Sequence, residues 1–106
     1  MTDYSKLSDF EINSAVSMVV RSQAENPESK YVVINDFCNN PADAWPIIVS
    51  KKICIAFDVF AEPDDGGGWV ASPAYYIEGE RIRHDNPLRA AMIVFLMMQD
   101  ATHANS

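Results

Sequence analysis

Positive charge and cysteine are what this sequence has least of. Eight lysines and arginines stand against fifteen aspartates and glutamates in 106 residues, a formal charge of -7 at pH 7. Charge of that sign repels phosphate backbones, so nucleic acid is not an expected partner. Arg81, Arg83 and Arg89 are the local cations that such a partner would have to use. The two cysteines, Cys38 and Cys54, form no C-x-x-C pair and no disulfide framework. Both lie in apolar runs, where a free cysteine behaves as a small hydrophobe, so the expectation is two core thiols in a reducing compartment.

Histidine is as scarce. His84 and His103 have no H-x-x-x-H spacing, and Asp64-Asp65 is followed by glycines rather than by the alternating ligands of a calcium loop. No metal site and no cofactor are therefore expected. Gly66-Gly67-Gly68 is followed by neither Lys-Ser nor Lys-Thr, which leaves it as a flexible connection rather than a phosphate loop. Cys38 and His84 are the residue types of a thiol enzyme, yet neither stands in a local signature, so no catalytic residue is assigned. The N-terminus, Met1 to Lys6, has no apolar stretch of the kind that directs secretion. The apolar segment near the C-terminus, at about 14 residues and 1.5 Å each, reaches roughly 21 Å against ~30 Å of bilayer hydrocarbon. It is too short to cross a membrane.

What is present is an ordinary globular composition, 48% apolar and 22% charged. That length fits a single domain over residues 1–106, with residues 1–7 and 101–106 expected to be flexible ends. Ser8 with Glu11 forms a capping box and opens a helix to about Ser22, with Ile12, Val16, Val19 and Val20 as its apolar stripe. Tyr31 to Phe37 reads as a strand. Asn40-Pro41 starts a short helix in which Pro46 predicts a distorted or 3₁₀ turn around Trp45. Ile53 to Phe60 is the best strand: Ile53, Ile55, Phe57 and Val59 alternate on one face that must meet a helix. Glu62 to Gly68 is a turn, Trp69 to Ile77 a strand held to an edge or bulge by Pro73, and Arg81 to Arg83 a short strand.

Asn86-Pro87 then caps and starts a helix whose run from Ala90 to Met98 carries no charge. A helix apolar on every face must be buried. One side is expected to cover a sheet, leaving Ile93, Leu96 and Met97 for the first helix or for another copy of the chain. The order α-β-(short α)-β-β-(β)-α is an α+β layout, an antiparallel sheet of three to four strands packed against N- and C-terminal helices.

Two Asn-Pro helix starts are the candidate binding residues. Asn40 and Asn86 act as caps; alternatively, their helix N–H groups together with Arg89 make an anion-binding corner, with Asn39, Asp43 and Trp45 beside it. Trp69, Tyr75 and Tyr76 are aromatics with polar edges of the kind found in cores and in interfaces.

Three segments carry a resemblance: Asp3-Tyr4-Ser5-Lys6-Leu7-Ser8-Asp9-Phe10-Glu11-Ile12-Asn13, Asn39-Asn40-Pro41-Ala42-Asp43-Ala44-Trp45-Pro46-Ile47-Ile48, and Asn86 to Met98. Together they resemble the NinX family of small proteins from lambdoid phages and their prophages, over Asp3 to about Asp100. The resemblance implies a phage or prophage origin and action in the cytoplasm of the host bacterium. It brings no reaction, cofactor or catalytic residue with it. The expected role is that of an accessory protein that binds a host or phage protein without catalysis. The alternatives are a binder of a nucleotide-like small ligand at the Asn-Pro starts and, behind that, a small enzyme. Ser22 to Lys30 and Glu62 to Gly68 stand outside the matching segments and are placed to tune a partner.

Overall fold

The computed structural model describes residues 3–23, 34–73 and 81–104. A 3₁₀ turn at Tyr4–Lys6 leads into α1 (Asp9–Ser22), followed by α2 (Pro41–Lys51), β1 (Cys54–Phe57), β2 (Trp69–Ser72), β3 (Ile82–His84) and α3 (Pro87–Ala104). The fold is α+β. The strands form an antiparallel meander in the order β1-β2-β3, with Ile55 opposite Ala71 and Ala71 opposite Ile82.

Each helix starts where its caps dictate. The Ser8 hydroxyl accepts from Glu11 N at 3.1 Å while the Glu11 carboxylate accepts from Ser8 N at 3.0 Å, the reciprocal capping box. Asn40 Oδ1 accepts from Ala42 N, and Asn86 Oδ1 from Leu88 N, each at 3.0 Å. At the other end of α2, Lys52 turns left-handed with φ 56°, and Ile53 N donates back to Ile48 O at 3.0 Å. That closure is a Schellman motif, and it delivers the chain into β1.

α3 is the axis of the molecule. It packs against α1, α2 and the sheet, and Ala90 to Leu96 are all buried. Ala90 and Ala91 are fully buried small residues, and Met92, Ile93, Val94 and Phe95 are among the largest fully buried side chains of the described residues. Ile93 and Leu96, at 2% and 3% exposed, are covered within one chain, and Met97 packs against the same core. The helix runs to Ala104. Among the described residues, no helix is long and apolar enough to cross a membrane.

Five expectations from sequence change here. Ile34 to Phe37 is not strand, because the Asp36 carbonyl accepts from Asn39 N and Asn40 N and turns the chain at residues 37–39; residues 31–33 lie outside the described residues, as do Tyr75 and Tyr76. α2 is continuous through Pro46 rather than distorted, losing only the one hydrogen bond that a proline cannot donate. The buried stripe of α1 is Ile12, Asn13, Val16 and Ser17, rotated from the expected one, and Val20 is exposed. Asn13 is drawn inward because its side chain has partners there. On β1 the apolar face is covered at Ile53 and Ile55, but Phe57 and Val59 are 56% and 74% exposed. Among the described residues β1 is an edge strand, and its hairpin end is left exposed. Cys54 points to the opposite, uncovered face and is exposed, so only Cys38 is a core thiol.

Candidate functional site

The three segments singled out in sequence converge on one polar junction. Arg89, in the first turn of α3 and 7% exposed, donates from Nη1 to Asp9 Oδ1 at 2.7 Å and from Nη2 to the carbonyls of Leu7 at 2.6 Å and Ser5 at 3.3 Å. The Asn39 amide donates to Asp9 Oδ2 at 3.2 Å and to Asp36 Oδ1 at 3.0 Å. Asp36 Oδ1 also accepts from Asn13 Nδ2 at 2.9 Å, and Asn13 Oδ1 accepts from Cys38 N at 3.0 Å. Asn86 closes the set, donating to Cys38 O at 2.6 Å and to Asn39 Oδ1 at 3.1 Å. The starts of α1 and α3 and the turn before α2 are thereby joined side chain to side chain.

Of the sequence candidates, Asn39, Asn86 and Arg89 meet at this junction. Asn40, Asp43 and Trp45 sit on the first turns of α2, where Asn40 is the cap and Trp45 is 60% exposed. Neither helix start has an N–H left for an anion. In α3, Pro87 has none, Leu88 N and Arg89 N donate to Asn86 Oδ1, and Ala90 N donates to Asn86 O. In α2, Pro41 likewise has none, Ala42 N goes to Asn40 Oδ1, and Asp43 N and Ala44 N go to Asn40 O. Asp9, Asn13 and Asp36 are the participants that sequence reasoning missed. A polar residue at position 13 next to the apolar Ile12 was the available signal.

Charge and burial set the chemistry of this junction. Arg89 and, less strongly, Asn39 hold the Asp9 carboxyl below the usual carboxylate range, against the opposing effect of burial. Burial pushes the Cys38 thiol up to about 12, and the charge of Asp9 adds to this. Cys38 is therefore a protonated thiol at neutral pH, the opposite of an activated nucleophile. His84 Nδ1 accepts from Asn86 N at 2.9 Å. Among the described residues, no three His, Cys, Asp or Glu side chains are grouped to hold a metal ion. One consequence is readily measured. In the native protein Cys54 reacts with a maleimide at pH 7 and Cys38 does not, until denaturant unfolds the chain; equal native labelling of both would contradict the buried position of Cys38.

A second place in the fold has the shape of a site. The connection between β1 and β2 shapes a hollow of about 510 Å³ that is broadly open to solvent. Phe57, Val59, Pro63 and Trp69 line it, with Glu62 and Asp85 among its carboxylates. Phe57 and Trp69 meet edge to face, ring centroids 5.1 Å apart. The connection is built rather than loose. Arg83 clamps it, donating to Gly67 O at 3.1 Å and to Asp58 Oδ2 at 3.0 Å, while Asp58 N donates to Gly68 O at 2.7 Å. The Phe60 N–H and then Arg83 keep the Asp58 carboxyl below its ordinary range. Gly67, at φ 132°, lies so close to the His84–Asp85 backbone that any side chain would collide, and a Cβ on Gly68 would meet the Phe57 ring at 2.6 Å.

Fold and sites define a small α+β protein with a tied core and an outward-facing hairpin. A family model described as "Bacteriophage P22, NinX" matches residues 3–99, and the chain belongs to that family. No curated protein and no solved structure matches it.

Proposed function

We propose that this phage-family protein acts without catalysis, as an accessory factor in the cytoplasm of the host bacterium that binds a host or phage protein. The observation that supports the reading is the hairpin. Phe57, Val59 and Phe60, within four consecutive positions, are 56%, 74% and 87% exposed. Large apolar side chains held outward on a clamped loop contribute nothing to the core, and they are the kind of surface that protein interfaces cover. The nucleotide-like alternative needed the helix N–H groups, which have internal partners, and Arg89, whose two terminal nitrogens are bonded inside the fold and whose Nε is buried. Ile93 and Leu96, the residues expected to be left for a second copy of the chain, are already covered within one chain.

The test is affinity capture of the tagged protein from phage-infected host cells, with proteins and small molecules both identified. The wild type is expected to retain a protein that a Val59→Ser/Phe60→Ser variant loses, with an unchanged melting temperature for the variant. Recovery of a small molecule in stoichiometric amount with no retained protein would overturn the reading.

A further inference from the structure

We infer that the β1–β2 cavity receives a basic side chain, arginine in particular, from an apolar-flanked segment of the partner protein. The inference rests on the protein-binding reading above and assigns its chemistry. The cavity has two kinds of wall. One is aromatic: Phe57 and Trp69 present an edge-to-face pair, with the exposed Val59 in the lining and the exposed Phe60 next to it in the chain, outside the lining. The other is anionic, and its charges are not equivalent. Asp58 is neutralised by Arg83 at 3.0 Å. Glu62 and Asp85 line the same cavity, and among the described residues neither carboxylate is held by a cation or accepts a hydrogen bond.

Those features select the occupant. An anionic or purely polar partner meets two uncompensated carboxylates and a net charge of -7. A purely apolar one would leave the carboxylates facing it and gain nothing from them. A guanidinium matches both walls, stacking on an aromatic face while donating in pairs to carboxylates. Its aliphatic stem and apolar neighbours would lie on Val59 and Phe60. The Arg83 clamp and the close approach of Gly67 to His84–Asp85 fix the geometry beforehand, which lowers the ordering cost of binding.

The experiment uses the isotopically labelled full chain, titrated with the peptide acetyl-Leu-Arg-Leu-Arg-Leu-amide and followed by amide shifts. Salt of about 0.15 M screens general attraction to the acidic protein beyond ~8 Å. Shifts are expected at residues 57–69 and at Asp85. A Glu62→Gln/Asp85→Asn variant should bind at least about tenfold more weakly, and a peptide with citrulline for arginine should lose a similar factor on the wild type, each about 1.4 kcal/mol. Asp64→Asn removes a charge from the same loop outside the cavity lining. It should change binding less than about twofold, as expected of a screened exposed charge.

Equal binding of the citrulline peptide, shifts scattered away from the hairpin, or no shifts up to millimolar peptide would each overturn the inference. So would hairpin shifts that depend on protein concentration alone, which would make this face a contact between copies. The two readings fail separately. If Val59→Ser/Phe60→Ser abolishes capture in cells while Glu62→Gln/Asp85→Asn leaves it intact, the protein-binding role stands and the basic occupant falls.

Discussion

Phe95→Ala lowers the stability of this protein by about 3–5 kcal/mol, the range for emptying a buried phenylalanine site. Phe95 is 1% exposed at the middle of α3, and among the described residues it is the largest fully buried side chain. The helix is surrounded by α1, α2 and the sheet, so its neighbours cannot close the space without moving several elements at once. Lost transfer energy and the residual cavity therefore add. A domain of this length has only ~5–15 kcal/mol of stability in total. With a urea slope of ~1–3 kcal/mol per molar, the unfolding midpoint should fall by more than about 1 M. Phe60→Ala is the matched control: the same atoms are removed from a residue 87% exposed, and the change should stay within about 0.5 kcal/mol. A Phe95→Ala cost below about 1 kcal/mol would mean that α3 is not the element on which the fold is organised.

The contrast between these two phenylalanines also marks what could be read in the sequence. Signals whose partners lie within a turn were legible: the Ser8–Glu11 capping box, the Asn40 and Asn86 caps and the all-round apolar character of α3 appear as expected. Strand alternation gave β1 its two faces, but not how far the cover extends along one of them. That depends on where α3 lies over an edge strand, and so Phe57 and Val59 came out exposed. Pro46 predicts a distorted or 3₁₀ turn around Trp45, yet a single missing donor is tolerated in a helix that is closed by Lys52.

The candidate site was legible as residue types and not as a constellation. Asn39, Asn86 and Arg89 were named from the helix starts, but their partners Asp9, Asn13 and Asp36 lie in other elements, and no local periodicity encodes such pairs. Arg89 and Asp9 stand 80 positions apart. The glycine run, read as a flexible connection, is fixed by Arg83 and by the passage of Gly67 beside His84–Asp85. Only the structure shows that this turn borders an open hollow.

Arg89→Met is expected to cost about 3 kcal/mol, for a reason different from that at Phe95. Methionine keeps most of the aliphatic volume, so little cavity is created. What disappears is a guanidinium that joins Asp9 to the carbonyls of Leu7 and Ser5. Breaking a buried, hydrogen-bonded pair typically costs ~3–5 kcal/mol. The Asp9 side chain is 43% exposed and regains water when unpaired, which places the expected value at the lower end. A double-mutant cycle with Asp9→Asn should give a coupling above about 1 kcal/mol, because the two side chains touch. The pH dependence has a definite sign. The native Asp9 carboxyl lies below its ordinary value, so its contribution is fully present above the unfolded-chain value near ~3.9 and is lost as pH falls through the native one. The stability gap between wild type and Arg89→Met should therefore be widest near neutrality and narrow below about pH 4. Asp3, Glu11 and Asp58 are also held low, but all three remain in the variant and cancel in the difference. A gap that stays constant down to pH 2, or a loss below about 0.5 kcal/mol at pH 7, would show that Arg89 is not tying the N-terminal turn to α3. Its guanidinium would then be free for the ligand-binding role that the hydrogen bonds now deny it.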